Sequence, residues 1–353
     1  MRRQRESRAT ILGFACLASA LALPAAPLHA AKRPKPKVEL KIATVAPEGT
    51  TWMKVMRQID NEVREATGNF VGFKVYPNSS QGDEGVVLRK IRAGQLHGGG
   101  LTGRGLGMIA RETRVVELPF LFDNYEQIDA AYERVGERLA QLLHDGGYTL
   151  LGWAEVGFVY LFSKQPIATQ SDLSSAKMWL WEGDPLAEAF YRQAQVAPVP
   201  LAVTDVMTSL QTRLIDAVYS SPYACLGLQW FTRVQYFTDV PITFASGAVV
   251  VSNKAFARIP EEHRETVLRI CRQRFRELVE KTRVQNTESL DEIVANGVER
   301  VEVSDADLQR FRDIGRRVWE DQTGALYTQE LLDLVLGAAE NPGGGNTVGG
   351  GSR

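Results

Sequence analysis

The sequence predicts an α/β fold in two lobes. Two stretches of the chain, one starting at Val38 and one near Tyr148, each alternate short apolar strands with amphipathic helices. Alternation of this kind is typical of a largely parallel sheet covered by helices. The chain has 353 residues, and a single hydrophobic core stops growing near about 250–300 residues, so we expect two cores.

The first stretch is built around an amphipathic helix at Thr51–Thr67. Apolar side chains recur along it at spacings of three, four or seven residues and form one face, and Thr50 or Thr51 is placed to cap its N-terminus. The elements predicted here are, in order, a strand at Val38–Ala43, this helix, a strand at Phe70–Val75, a helix at Glu84–Ala93 and an apolar segment rich in glycine.

The second stretch contains the remaining strands and the longest helix. Its predicted elements are strands at Thr149–Trp153, Val159–Ser163, Lys177–Trp181, Ile215–Tyr219 and Ala248–Ser252, and helices at Pro185–Gln195, Asp205–Thr212, Pro260–Asn296, Asp305–Thr323 and Gln329–Ala339. The length of the helix at Pro260–Asn296 indicates that it braces both lobes. We assign residues 38–150 and about 246–285 to lobe I, and residues 151–245 and about 286–340 to lobe II.

Both ends of the chain are predicted to lie outside the folded part. Residues 1–8 carry four arginines and one glutamate, an apolar run follows at Ile11–Ala26, and a small-residue site ends at Ala30. This pattern is typical of a cleaved secretory signal peptide at residues 1–30, so we predict export to the periplasm. Residues 31–37 have two prolines among basic residues and are expected to form an exposed leader. The Gly-rich residues 341–353 are expected to be disordered.

Composition and motifs disfavour nucleic-acid binding and enzymatic chemistry. Without the signal peptide the chain has 37 basic and 41 acidic residues, a formal charge of −4 that does not suggest a nucleic-acid partner. The remaining histidines, His97, His144 and His263, lack metal-ligand spacing, and neither a nucleophile elbow nor a Walker loop occurs. We therefore predict no catalytic residue, no metal site and no cofactor. Cys225 and Cys271 remain after cleavage and do not indicate a disulfide framework.

A glycine-rich segment at Gly98–Gly103 matches the dinucleotide-binding pattern GxGxxG. In that pattern the first strand leads directly into the glycines, whereas here a predicted helix ending at Ala93 precedes them. We therefore interpret the segment as a flexible loop that lets a ligand approach the main chain closely.

Aromatic and polar residues near the predicted strand ends form a candidate ligand site. Open α/β sheets bind ligands beyond the carboxyl ends of their strands, and small-molecule pockets are mostly apolar with a few fixed polar groups. The aromatic candidates are Trp52, Trp153, Trp179, Trp181, Tyr219 and Tyr223. The polar candidates are Arg104, Glu182, Asp184, Asp205, Gln211 and Ser220. For any single tryptophan a place in the lobe core is an equal alternative, and for Arg104 a solvated surface position is the favoured one.

Short segments that follow one another along the chain resemble a known family. They are residues 40–43 (LKIA), 75–78 (VYPN), 91–94 (IRAG), 118–122 (LPFLF), 166–167 with 172–173, 209–212 (SLQT) with 215–216, and 250–254 (VVSNK). In order and spacing they resemble the solute-binding proteins of tripartite ATP-independent periplasmic (TRAP) transporters, the DctP-like group. The resemblance implies a periplasmic-binding-protein architecture of two α/β lobes with crossing strands and a long bracing helix. It also implies that the lobes close over a ligand and dock on integral-membrane transporter subunits.

The sequence departs from this family at the positions that usually hold the ligand. The resemblance implies a carboxylate bound by the arginine of a lysine–apolar–arginine strand motif, which here reads Lys177-Met178-Trp179, and a second arginine position that holds Val159. An arginine grips a carboxylate through two hydrogen bonds, whereas an indole offers one donor and an apolar face. We therefore expect a ligand with apolar, aromatic or cationic groups rather than the usual dicarboxylate. Arg104 is the one candidate left to hold an anion.

The function predicted is that of a non-enzymatic solute-binding protein whose partners are a small organic ligand and a TRAP-type transporter. Three alternatives stay open. A periplasmic carrier of an apolar or lipid-like solute is favoured by the aromatic residues. A periplasmic enzyme would use Glu182 and Asp184 as an acid–base pair. A receptor module that senses a solute for signalling is the third.

Overall fold

A computed structural model describes residues 34–342 of the chain. The predicted signal peptide and residues 343–353 of the predicted tail lie outside the described residues. The first half contains β1 Val38–Thr44, α1 Thr51–Ala66, β2 Val71–Tyr76, α2 Glu84–Arg92, β3 Gly98–Thr102, α3 Gly103–Gly107, a 3₁₀ helix at Arg111–Glu117, α4 Tyr125–Asp145 and β4 Tyr148–Ser163. Next come α5 Gln170–Ser175, β5 Trp179–Trp181, α6 Pro185–Ala194, β6 Val199–Leu201, a 3₁₀ helix at Val203–Asp205, α7 Val206–Thr212, β7 Ala217–Ser220 and α8 Pro222–Gly227. The remainder contains a 3₁₀ helix at Trp230–Arg233, β8 Tyr236–Thr238, β9 Thr243–Ser252, α9 Asn253–Phe256, α10 Glu261–Ala295, β10 Glu299–Val301, α11 Asp305–Gln322 and α12 Gln329–Glu340.

The strands form one mixed sheet and a small separate pair. Among the described residues the main sheet has the order β10-β8-β4-β9-β3-β1-β2, with β7 also paired to β4, while β5 pairs with β6. β1 is parallel to both β2 and β3, whereas β9 is antiparallel to both β3 and β4. The prediction of a largely parallel sheet is therefore wrong, because β9 returns along the sheet between the N-terminal strands and β4.

β4 and β9 are the crossing strands of the two-lobe architecture. They pair from Tyr148 and Ser252 at one end to Val159 and Thr243 at the other, with two irregularities in register. Beyond that ladder the C-terminal part of β4 pairs with β7 and β8. The sequence predicts two strands here, but the structure has one, because a buried glutamate and a glycine at the irregularity interrupt the apolar pattern without ending the strand.

Two of the hydrophobic cores share one helix. In the first core the apolar face of α1 packs with β1 and with Phe275 of α10. In another core Trp179, Phe162 and Val218 pack with Ile293, near the C-terminal end of the same helix. α10 thus contributes to both cores, as predicted for a bracing helix.

α4 has no counterpart among the predicted elements. The Asn124 side chain caps it by accepting a hydrogen bond from the Gln127 N–H (3.0 Å), and its buried face includes Ala131 and Gly136 beside larger residues. Small residues on the buried face weaken the periodic hydrophobic signal. The helix is therefore stabilised by packing that the sequence pattern does not predict.

The glycine-rich segment is a strand, not the flexible loop that the sequence suggests. Residues 98–102 form β3, inside the sheet between β1 and β9. A Cβ atom at Gly98 would lie 2.2 Å from the Val250 carbonyl oxygen of β9. At Gly98 glycine is needed for the close approach of a neighbouring strand.

Candidate ligand-binding site

A cavity of about 230 Å³ lies over the crossing strands. It is lined by residues of β1 and β3, of the crossing strands β4 and β9, and of β5, β7 and α8. These elements come from both predicted lobes. The cavity is therefore where a ligand held between the lobes would lie.

One side of the cavity is formed by Trp179, Trp181, Tyr219 and Trp230, which we call the aromatic wall. The Trp179 ring stacks on Tyr219 with 4.9 Å between centroids and meets Trp230 edge-on at 5.3 Å. Its Nε1–H donates to the Leu201 carbonyl oxygen (3.0 Å). Trp179 is thus fixed on two sides, and its only donor is already used.

Three buried charged residues, Arg114, Glu117 and Asp184, also line the cavity, and we call them the buried triad. Arg114 Nη2 donates to Asp184 Oδ2 (3.2 Å), and Arg114 Nε lies 2.7 Å from Glu117 Oε2. Glu117 Oε1 accepts from the N–H and the O–H of Ser246 (2.6 and 2.7 Å). Asp184 Oδ1 accepts from the Leu186 N–H (3.1 Å) at the start of α6. The carboxylate oxygens therefore all have partners within the protein.

Burial sets the electrostatics of the buried triad. Burial disfavours the charged form of Arg114, but the Asp184 and Glu117 carboxylates outweigh it and raise the guanidinium pKa. Burial also raises the pKa of Glu117, against the lowering effect of Arg114 and Ser246. A Cβ at Gly103 would lie 1.9 Å from Glu117 Oε1, so α3 approaches this carboxylate only because residue 103 is glycine.

Arg104 joins the two predicted lobes in a group that we call the clasp, formed with Asp83, Trp181 and Glu182. Arg104 Nε donates to the Glu182 carbonyl oxygen (3.0 Å) and Nη1 to Asp83 Oδ1 (3.2 Å). Trp181 Nε1 donates to Asp83 Oδ2 (2.9 Å), and the guanidinium lies over the Trp181 ring at 5.2 Å. Arg104 is 9% exposed. The expected surface position of Arg104 is therefore wrong, because α3 turns the side chain into the cleft.

Glu84 lies beside the clasp without a close ion pair. Its Oε1 accepts from the Thr102 N–H (2.6 Å) and its Oε2 from the Thr102 O–H (3.0 Å), while Arg104 Nη1 is 3.8 Å away. Burial raises the pKa of Glu84 to about 7, and Thr102 and Arg104 lower it only in part.

A fifth charged residue, Glu155, lines the cavity from β4. Arg283 of α10 donates to both of its carboxylate oxygens, from Nε at 2.8 Å and from Nη2 at 3.1 Å. Burial raises the pKa of Glu155 despite this pair. Each charged side chain named in the cavity wall therefore has a partner of opposite charge.

Hydroxyl groups remain with donor capacity toward the cavity. Tyr219 Oη accepts from the Trp181 N–H (3.1 Å), and Tyr223 Oη accepts from the Thr51 N–H (2.9 Å), which leaves both phenol hydrogens available. Burial, with Asp184 nearby, raises the pKa of Tyr219, so this phenol keeps its proton. The Thr282 hydroxyl is buried and has no hydrogen-bond partner among the described residues.

The structure divides the candidate residues into two sets. Those that line the cavity are Trp52, Arg104, Trp179, Trp181, Asp184, Tyr219, Ser220 and Tyr223. Those that do not are Trp153, Glu182, Asp205 and Gln211. For the residues of both sets, a role in ligand binding stays a prediction.

The second set is excluded from the cavity wall by local geometry. The Trp153 ring packs against Tyr132 of α4 at 5.3 Å. The side chains of Asp205 and Gln211 are exposed. Glu182 is exposed as well and contributes its carbonyl oxygen to the clasp. The proposed acid–base pair is therefore not assembled, because Asp184 instead caps α6 and pairs with Arg114.

Sequence reasoning missed Arg114, Glu117, Glu155 and Thr282 in the cavity wall. Arg114 and Glu117 lie in a 3₁₀ helix with no predicted element, and Glu155 lies inside a strand that was split. The charges of Arg114, Glu117 and Glu155, which stand next to apolar residues, were the available signal, since charged residues are rarely buried without partners.

Within residues 34–342 no cluster of histidine, cysteine and acidic residues has the geometry to hold a metal ion. No helix in the same range is long and apolar enough to span a membrane. Cys225 and Cys271 are buried free thiols, and burial raises the pKa of Cys271 to about 12.

Comparison with protein families gives a match over most of the chain. Residues 42–324 match the family described as bacterial extracellular solute-binding protein, family 7, or DctP. A solute-binding protein of Verminephrobacter eiseniae is 27% identical over 60% of this chain, a span of 64% of the relative, somewhat under two thirds of its length. The C4-dicarboxylate-binding periplasmic protein DctP of Vibrio cholerae is 22% identical over 79% of this chain and 84% of its own.

Solved structures share the fold. A sugar acid binding protein of Advenella mimigardefordensis in complex with galactonate superposes with a TM-score of 0.81 at 18% identity, covering 87% of this chain and 99% of the other. A TRAP periplasmic solute-binding protein of Ralstonia eutropha with bound (S)-2-acetolactate gives 0.80 at 20% identity, covering 86% and 99%. The two-lobe periplasmic-binding-protein architecture is thereby confirmed.

Proposed function

The chain belongs to the DctP family of bacterial extracellular solute-binding proteins, and from this premise we propose that it captures a small organic ligand between its lobes for a TRAP-type transporter. Members of this family are transport proteins that work outside the cytoplasm. The integral-membrane subunits of the transporter are the partners that the proposal requires. Export by a cleaved signal peptide at residues 1–30 belongs to the same proposal.

The ligand, in this proposal, is not a typical dicarboxylate. The observation that carries this is the state of the two arginines in the cavity wall. Arg114 lies between two buried carboxylates, and Arg104 is bound to Asp83 and to a carbonyl oxygen. Both guanidiniums already face carboxylates or a carbonyl oxygen: Nε and Nη1 of Arg114 make no hydrogen bond within the described residues, but they lie 2.7 and 3.0 Å from the Glu117 and Asp184 carboxylates. A ligand carboxylate would therefore have to displace these partners to be gripped by two hydrogen bonds.

The balance of charge around the cavity also disfavours an anion. The buried triad has two carboxylates for one guanidinium, and Glu155 adds a carboxylate opposed by Arg283. A dianion brought into this low-dielectric space would meet a net negative wall. A neutral or cationic ligand avoids that repulsion.

The groups left to bind a ligand are aromatic faces and hydroxyls. The partly buried ring of Trp52 and the phenols of Tyr219 and Tyr223 line the cavity. Aromatic faces attract apolar groups and organic cations, and the phenol hydrogens donate to carbonyl or hydroxyl oxygens of a ligand. We therefore propose a ligand with an aromatic or apolar body and few or no carboxylates.

The identity of the ligand is tested by native mass spectrometry of the protein purified from its own periplasm, followed by denaturing release of the retained molecule. An apolar, aromatic or cationic molecule is expected. A retained dicarboxylate or sugar acid would overturn the ligand assignment and leave the family assignment intact. In that case Arg104→Glu would show whether Arg104 holds the acid, since charge reversal there should abolish its binding.

Two tryptophan variants test whether this cavity is the binding site. Trp52→Ala removes a ring from the cavity wall, whereas Trp153→Ala removes one that packs on Tyr132 outside it. Calorimetry with the retained molecule should show about a tenfold or greater loss of affinity for Trp52→Ala only. Equal losses in both variants would place the site elsewhere.

A further inference from the structure

A second cavity, of about 260 Å³, is lined by Lys35, Pro36, Lys37, Glu39, Lys41, His97 and Arg258, and we call it the basic pocket. None of these residues lines the ligand cavity. From its charge and from one N–H donor that its histidine cannot satisfy, we propose that the basic pocket binds a phosphate group.

Positive charge is concentrated in the basic pocket. Lys35, Lys37, Lys41 and Arg258 are opposed there by the single carboxylate of Glu39. Lys41 of β1 is also the register partner of Lys74, so the neighbouring strand adds a further basic residue. Like charges this close repel one another, and a bound anion relieves the repulsion.

The His97 ring supplies a second and independent observation. The Lys41 N–H points at Nδ1 (3.0 Å), and Arg258 Nη1 lies 3.0 Å from Nε2. A neutral imidazole has only one acceptor nitrogen, so one of these two donors finds no acceptor on the ring, whichever tautomer is present. An anion oxygen in the pocket would accept the hydrogen that the ring cannot.

Protonation of His97 does not remove this mismatch. Burial, together with the Arg258 and Lys41 charges, lowers the pKa of His97, so the ring is neutral at neutral pH. A protonated ring would carry hydrogens on both nitrogens and face donors on both sides. Nη1 of Arg258, which is exposed, therefore remains a donor that an anion oxygen can satisfy in place of water.

A phosphate is the anion that fits several separated donors at once, because its oxygens point in several directions and lysine binds it as a point charge. Free phosphate and the phosphodiester of an anionic lipid offer the same chemistry. The lipid source has support in the sequence, since Lys32 and Arg33 continue the basic run of Lys35 and Lys37 toward the predicted new N-terminus. A basic run beside a phosphate site favours attraction to an anionic membrane surface.

The test uses the chain from residue 31 to residue 353 and two probes. Binding of inorganic phosphate is followed by nuclear magnetic resonance of the backbone amides, with shifts expected at Lys41 and His97. Co-sedimentation with vesicles of phosphatidylglycerol and phosphatidylcholine is compared with vesicles of phosphatidylcholine alone. Vesicle binding should be lost at about 1 M NaCl, where charges are screened beyond about 3 Å.

Two double variants with equal charge change provide the comparison. Lys41→Gln with Arg258→Gln alters the basic pocket, and Arg269→Gln with Arg276→Gln removes two exposed arginines of α10. The pocket variant should lose about tenfold in phosphate affinity, since hydrogen bonds to charged groups are lost, and the α10 variant should not. Lys35→Gln with Lys37→Gln, which changes only exposed side chains, repeats the comparison if the first variant melts early.

Each outcome decides the proposal. Phosphate binding that depends on the pocket, without vesicle binding, assigns the site to free phosphate. Pocket-dependent binding to phosphatidylglycerol vesicles assigns it to lipid. No binding of either probe, or equal losses in the pocket and α10 variants, overturns the proposal and leaves the solute-binding function unaffected.

Discussion

Arg104 and Arg114 line the same cavity but are held in different ways. Arg114 lies between the buried carboxylates of Glu117 and Asp184, whereas Arg104 has Asp83 as its closest carboxylate and a main-chain carbonyl as its other partner. Arg114 thus balances charge inside the fold, and Arg104 connects the two sides of the cleft. The difference teaches that a buried arginine in a ligand cavity is not by itself an anion site, because its existing partners decide what it can still bind.

The largest effect should come from removing the guanidinium of the buried triad. Arg114→Met leaves two buried carboxylates without a counterion, so we expect the free energy of unfolding to fall by about 3–5 kcal/mol. Arg104→Met should cost about 1–2 kcal/mol, since Asp83 keeps the Trp181 indole as a donor. Urea unfolding of both variants measures the two losses in free energy of unfolding. Equal losses would show that the two arginines do not differ in this way.

A triple variant sharpens the same comparison. Arg114→Met combined with Glu117→Gln and Asp184→Asn removes the uncompensated charges together with the guanidinium. It should be more stable than Arg114→Met alone, since most of that variant's loss comes from unpaired charge rather than lost packing. A triple variant as unstable as the single one would contradict the electrostatic explanation.

The next effect concerns Glu84, which lies near Arg104 without a close ion pair. Its pKa is raised from 4.5 to about 7 in the fold, so between these values the folded state binds more protons than the unfolded state. Stability should therefore fall as pH rises through this range, by at most about 3 kcal/mol, and level off above it. Glu84→Gln should lack this component when unfolding is measured from pH 4.5 to 8. If Glu84→Gln has the same dependence of stability on pH as the unchanged protein, the raised pKa of Glu84 is refuted.

A smaller loss is expected at the aromatic wall. Trp179→Phe removes the hydrogen bond to Leu201 and part of the contact with Trp230, which should cost about 1–2 kcal/mol in urea unfolding. The effect would show that the Trp179 ring serves packing. No loss at all would mean that the ring is held only loosely.

The smallest effect is expected at Tyr223. Tyr223→Phe removes the acceptor of the Thr51 N–H, a partly exposed group that water can serve, so the free energy of unfolding should change by about 0.5–1 kcal/mol. Occupancy by the retained ligand should fall more clearly, and native mass spectrometry measures it. A large loss of stability with full occupancy would make Tyr223 a structural residue only.

Much of the fold could be predicted because its helices obey simple rules. α1 and α10 begin and end within a residue of their predicted bounds, since their apolar faces and end signals agree. α4 could not be found in this way, because small residues interrupt its buried face. β4 was divided because Glu155 is a charged residue in a strand, and only its partner on α10, distant in sequence, explains why it is buried.

The candidate site was predictable in part for a related reason. Trp179, Trp181 and Tyr219 lie at or near the ends of predicted strands, a local property that a sequence shows directly. The position of Trp153 depends on which face of β4 meets α4, and the position of Arg104 depends on the turn after β3. Neither position could be predicted before the fold was known. Asp184 was identified correctly as a cavity residue, but its pairing with Arg114 joins segments 70 residues apart.

Tyr223 accepts the Thr51 N–H, Trp181 donates to Asp83, and Arg104 donates to the Glu182 carbonyl oxygen. All of these bonds join one predicted lobe to the other, and all are polar. If the cleft opens, as the proposed function requires, each group meets bulk water as a substitute partner, so the net free energy lost is about 0.5–1.5 kcal/mol for the neutral bond and about 1.5–3 kcal/mol for each bond that involves a charged group. In that case hydration limits the free-energy difference between the open and closed forms to a few kcal/mol, and a solute that binds the closed form more tightly is able to supply it.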